Sequence, residues 1–144
     1  MKLTREQIEN MPASREIDAL VAEFIMGEKK PIYLHSHPIV TQTKYSINMS
    51  WYCLPEYEKG DVCEWIPKPY STDIAAAWEV VETFDRKSWD VSVSSLTDND
   101  GEVWEVFFAE YFEDGVGRIG KASAETAPLA ICRAALIAMM DIAQ

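Results

Sequence analysis

Positive charge is scarce in this chain. Thirteen Lys and Arg stand against 24 Asp and Glu, a formal net charge of −11 over 144 residues. Such a field repels nucleic-acid backbones and anionic lipid, because both are held by cations that displace counterions. Direct binding to nucleic acid or membrane is therefore not expected; a local basic patch for a small anion is still allowed. Cysteine is equally sparse. Cys53, Cys63 and Cys132 make no even disulfide framework, which fits a reducing compartment. Long apolar runs are missing too: the longest, near the C-terminal end, is too short to cross a bilayer and contains Arg133. The opening "MKLTREQIEN" lacks the apolar stretch of a secretory signal. These absences lead us to expect a cytoplasmic protein.

Catalytic signatures are absent as well. The sequence holds no Walker loop, GxGxxG, GxSxG or HExxH. Carboxylates abound, but "DND" at 98–100 reads better as turn chemistry than as a metal site. Cys132 lies in an apolar helix, where a thiol is usually an inert small hydrophobe. Neither catalysis nor a cofactor is expected.

What is present is a foldable core. Hydrophobic residues make up 48% of the chain and five are tryptophan, which excludes a disordered tail. The length suits one domain, 1–144, with no repeat or linker to divide it. After a short helical turn broken at Pro12, Ser14 can cap a helix with Ile17, Leu20, Val21, Phe24 and Ile25 on one face. Residues 28–69 contain five prolines and read as an irregular excursion. A second helix should be capped by Ser71 or Thr72, with Ile74, Ala77, Trp78, Val81 and Phe84 as its apolar stripe.

Three strands should follow: Trp89 to Leu96, "EVWEVFFAEYF", and Arg118 to Ala124, joined by turns at "TDNDG" and "EDGVG". Thr126 should cap a final helix with Pro128 in its first turn. In the middle strand Trp104, Val106 and Phe108 share one face, while Val103, Phe107, Ala109 and Tyr111 lie mainly on the other. A sheet apolar on both faces needs two covers. The expected fold is an α/β/α sandwich around a mainly antiparallel meander, with helices on both faces. The last helix is apolar nearly all round, so its remaining surface must meet another helix, the excursion or a second protomer. We expect a homo-oligomer on that ground.

Three blocks carry a family likeness: "MPASREIDALVAEFIMG", "PYSTDIAAAWEVVE" and "ETAPLAICRAALIAM". Each joins a cap, a helix face of small residues and fixed aromatic or charged positions. Together, in this order, they resemble the small phage and prophage proteins that carry the phage ABA sandwich domain. The resemblance implies a phage origin and the sandwich already expected from the strand pattern. It implies no particular chemistry, and the excursion is its least family-like part.

Binding residues can be nominated from side-chain type. His35 and His37 with Cys53 and Cys63 are the nearest thing to a zinc set. Neither CxxC nor HxxxH spacing is present, so buried cysteines and solvated histidines are the plainer reading, and no metal is expected. For an anion, the helix starts at Thr72 and Thr126 offer free N–H groups. Arg118, Lys121 and Arg133 lie on or just before the last helix, and Trp51, Tyr52, Tyr70 or Trp104 could stack on a base. Together these are the parts of a nucleotide pocket. The competing reading is a cap for each Thr, core for Trp78 and Trp104, and a rim ion pair or carbonyl contact for Arg133.

An αβββα order also resembles the double-stranded-RNA-binding fold, but the acidic chain and the "ETAP" helix start lack the cations that module needs. Two functions follow from this reading. One is a phage accessory protein that sequesters a small host ligand, such as a nucleotide immune signal, without turning it over. The other is an acidic interaction protein that docks on a host or phage protein.

Overall fold

The structure, a computed structural model, describes residues 3–28, 32–34, 37–39, 67–140 and 142–143. Its elements are β1 (Leu3–Thr4), α1 (Arg5–Glu9), α2 (Arg15–Leu20), a π-helical turn (Val21–Ile25), β2 (Ile32–Leu34), β3 (His37–Ile39), α3 (Ile74–Arg86), β4 (Asp90–Asp98), β5 (Gly101–Phe112), β6 (Gly115–Ala124), α4 (Ala127–Met139) and β7 (Ile142–Ala143). The main sheet is antiparallel in the order β4-β5-β6. β2 and β3 form a separate antiparallel pair, and β1 lies parallel to β7. The protein is thus a mixed α/β sandwich built on the expected meander.

The local chemistry explains the elements. Thr4 and Gln7 close a reciprocal capping box on α1. The Ser14 hydroxyl accepts from the Ile17 N–H at the start of α2. The meander turns at Asn99–Asp100 and at Glu113–Asp114, because Asp98 pairs with Gly101 and Phe112 with Gly115. Gly101 has φ +116°, which disfavours a side chain. Further along, Gly117 and Arg118 together oppose the single Glu110, a bulge in β6.

The cap of α3 differs from the expectation. Asp73, not Ser71 or Thr72, is the N-cap, its carboxylate accepting from the Ala75 N–H at 3.1 Å. Ser71 is instead buried: its N–H donates to Asp18 at 2.7 Å and its hydroxyl accepts from the Ser14 N–H at 3.2 Å. This node ties α2 to the turn before α3. The stripe on α3 is also rotated from the expected one. Ala76, Ala77, Val80, Val81 and Phe84 are buried, while Ile74 and Trp78 are about half exposed, at 52% and 47%.

Both long helices lie on the same face of the sheet. Phe108 stacks on Phe84 of α3, with ring centroids 4.2 Å apart. Its cross-strand partner Gly120 lies against α4: a Cβ there would meet the Ala134 carbonyl oxygen and come within 2.6 Å of the Ala138 methyl. Gly120, Ala122 and Ala124 are the small residues that let α4 approach so closely. On the remaining sides α4 packs against α3, α1, α2 and the π-helical turn. Its apolar circumference is therefore met within the chain, which removes the reason first given for an oligomer. The opposite face of the sheet carries Leu96, Val103, Phe107 and Ile119, and no described helix packs on it.

Candidate functional site

α3 has two flanks. One packs on α4; the other faces a groove along β4. Trp78, Val81, Glu82 and Asp85 fall at i, i+3, i+4 and i+7, so they form one stripe down the helix. Val91 and Val93 of β4 form the opposing wall, enclosing a groove of about 390 Å³. The walls are apolar and the rim is acidic. Neither the Glu82 nor the Asp85 carboxylate has an ion-pair or hydrogen-bond partner among the described residues. The helix ends in a turn in which Ser88 takes φ +64° and the Trp89 N–H returns to the Phe84 carbonyl. That turn buries Trp89 edge-on against Phe84 and starts β4 at the foot of the groove.

A second hollow, of about 330 Å³, is lined by Arg5 and Glu9 of α1, Glu105, Lys121, Ala122 and Ser123. Its cations and anions are matched, and Lys121 pairs with Glu105 at 3.6 Å. This balance gives little net attraction for an anion.

The nominated residues are dispersed. Tyr70 is buried, at 1% exposure, and offers no open stacking face. Thr72 is exposed beside the Asp73 cap. Thr126 has N-cap geometry, yet its side chain makes no capping hydrogen bond. Arg118 forks onto Glu110, at 3.4 and 3.3 Å, and lies over the Trp89 ring at 5.5 Å. These Arg118 bonds are the main reason that the Glu110 carboxyl titrates below its ordinary range.

Arg133 is held by backbone. Nε and Nη2 donate to the Met11 carbonyl at 3.1 and 2.9 Å, and Nη1 donates to the Ser123 carbonyl at 2.9 Å. It clips the loop before α2 to strand β6. Burial lowers its pKa, while Glu125 and Glu9 oppose that shift. Of the nominated set, the structure brings Lys121 and Arg133 to the same stretch of β6, beside Ser123. Trp51, Tyr52, His35, Cys53 and Cys63 lie outside the described residues, and His37 begins β3. Cys132 is fully buried, and burial, reinforced by the Asp18 charge, pushes its thiol far up, so it is protonated and unreactive.

A family model, the phage ABA sandwich domain, matches residues 19–136. The chain belongs to this family. A solved structure is similar along almost the whole length: the crystal structure of a phage protein from Bacillus cereus ATCC 14579. It is 25% identical, the match covers 90% of this chain and 95% of that one, and the TM-score is 0.51. No curated protein matches the chain.

In this phage ABA sandwich protein the groove beside α3 is the feature that sequence reasoning missed. The sequence alone places Trp78 in the core, because it fits a 3.6-residue period with Ala77, Val81 and Phe84. The signal that could have placed it is the small pair Ala76 and Ala77 followed by Val80, a better surface for close helix packing than an indole. No described helix is long and apolar enough to cross a membrane.

Proposed function

We propose that this phage protein is a non-catalytic docking protein that engages a host or phage protein through the groove between α3 and β4. The observation that carries this reading is the half-exposed Trp78 on an apolar wall, beside two carboxylates without partners among the described residues. A large aromatic at the centre of a shallow apolar site, with polar groups at the rim, is the usual composition of a protein-binding hot spot. The acidic charge of the whole chain favours a basic partner and speeds its approach. Sequestration of a nucleotide draws less support from the described residues, because Arg118, Lys121 and Arg133 are each engaged elsewhere.

The test is site-specific photocrosslinking in infected cells, with the crosslinker at position 78 or, as a control, at the exposed Lys121, on the other sheet face and on the opposite edge strand β6. A protein adduct should form from position 78 and not from position 121. The adducted protein, once purified, should bind wild type and lose about tenfold or more in affinity for Trp78→Ala. Equal binding by that variant would refute the reading. A nucleotide released from the purified protein on denaturation would restore the sequestering function instead.

A further inference from the structure

We infer that the partner presents an extended basic segment, which adds to the sheet as a new strand along β4 and lays its inward side chains in the groove. This rests on the docking function proposed above. The two edges of the sheet are unlike. On β6 the edge is guarded: it carries the Gly117–Arg118 bulge, Lys121 lies on it, and its Ser123 carbonyl is taken by Arg133. Bulges, cations and blocked carbonyls are the means by which edge strands avoid pairing. β4 has none of these. Across Asp90–Asp98 it contains no proline and no cation, and its register with β5 is unbroken. Among the described residues no strand pairs with its outer edge.

An unguarded edge of nine residues is about 30 Å of open backbone donors and acceptors. A strand added there would alternate its side chains between the two faces of the sheet. On one face its neighbours are Ser92 and Ser94, both exposed, which ask only for polar residues. On the other they are Val91 and Val93, with Trp78 and Val81 above and Glu82 and Asp85 at the rim. An apolar residue fits the valine wall. An Arg or Lys fits beside it, with its stem on the indole and its charge against the carboxylates. The chemistry thus selects an extended segment with inward basic and apolar residues and outward small polar ones.

The probe is a capped nonapeptide in which threonine alternates with arginine, valine and lysine, titrated into the full-length chain and followed by amide NMR shifts. Binding should move β4 amides and should weaken about tenfold or more for Trp78→Ala and for the double variant Glu82→Gln, Asp85→Asn. A peptide with glutamate in place of its basic residues should not bind. Methylating alternate peptide amides should abolish binding in one of the two possible patterns, because only one set of N–H groups faces β4. No binding, equal binding by the variants, or indifference to methylation would overturn the inference. So would a dimer of the free protein that Trp78→Ala dissociates, which would assign the groove to a second copy. If crosslinking from position 78 succeeds while the peptide fails, docking stands and strand addition falls. Failure of the crosslink alone removes the wider reading.

Discussion

α3 and α4 are both 13 residues long and rest on the same face of the same sheet, yet they are buried in opposite ways. α4 is enclosed by the sheet, α3, α1, α2 and the π-helical turn, and all but Arg133 and Met139 of its residues are buried. α3 is enclosed on one flank and leaves an indole exposed on the other. The comparison separates two signals that look alike in sequence. A helix apolar all round is a central helix, saturated by its own chain. A helix that is amphipathic but carries a large apolar residue off its core face is the one with surface to offer.

The largest effect expected from breaking this contrast is on the buried flank of α3. Phe84→Ala removes a ring that stacks on Phe108 and meets Trp89, and should cost about 3–5 kcal/mol in denaturant unfolding. Next is the seat of α4. Gly120→Ala forces a methyl against the Ala134 carbonyl and the Ala138 side chain, and should cost about 1–3 kcal/mol, since neither contact is a flexible side-chain end. Arg133→Ala leaves the Met11 and Ser123 carbonyls without their charged donor and should cost about 2 kcal/mol, seen as a lower Tm with no change in oligomeric state.

A smaller effect should appear at Asp18. Burial raises its carboxyl pKa above the ordinary value, while the bonds from Ser71 oppose the rise. The folded state therefore favours the protonated form. The stability this confers is complete below the unfolded pKa and is lost as pH rises through the folded one. Asp18→Asn keeps an acceptor for the Ser71 N–H but cannot ionise. The variant should gain stability relative to wild type as pH climbs from about 3 to about 7, read from unfolding free energies at both ends. A constant difference across that range would refute it. The smallest change in stability belongs to Trp78→Ala, within about 0.5 kcal/mol, because the side chain is already half in solvent. Set beside Phe84→Ala six residues on, it measures the two flanks of one helix.

The meander and the two long helices were legible because their signals are local. Turn residues at 99–101 and 113–115 fix the hairpins, and Pro128 marks the start of α4. The side of α3 that faces the core was not legible. Ile74, Trp78 and Val81 satisfy the same helical periodicity as Ala76, Val80 and Phe84, and only the position of α4 decides between them. The same limit hid Asp18, a charged residue that reads as solvent-facing until the turn at Ser71 closes over it. For Arg133 a carbonyl contact was legible but the carbonyls themselves were not: its partners lie 122 and 10 residues away and leave no trace in side-chain pattern.

The parallel pairing of β1 with β7 has a consequence for how the chain assembles. Leu3 lies opposite Ile142 and Thr4 opposite Ala143. Closing a loop of that span is the entropically slowest contact in the molecule, whereas the two hairpins close over two-residue turns. The meander should form early and the β1–β7 pair last. Because residues 3 and 143 are neighbours in space, a short linker can join them and the chain can be reopened at Asn99–Asp100, an exposed turn. Such a circular permutant would make the late pairing local and cut the β4–β5 hairpin at its tip, exchanging the first step of assembly for the last while leaving α4 in the same enclosure.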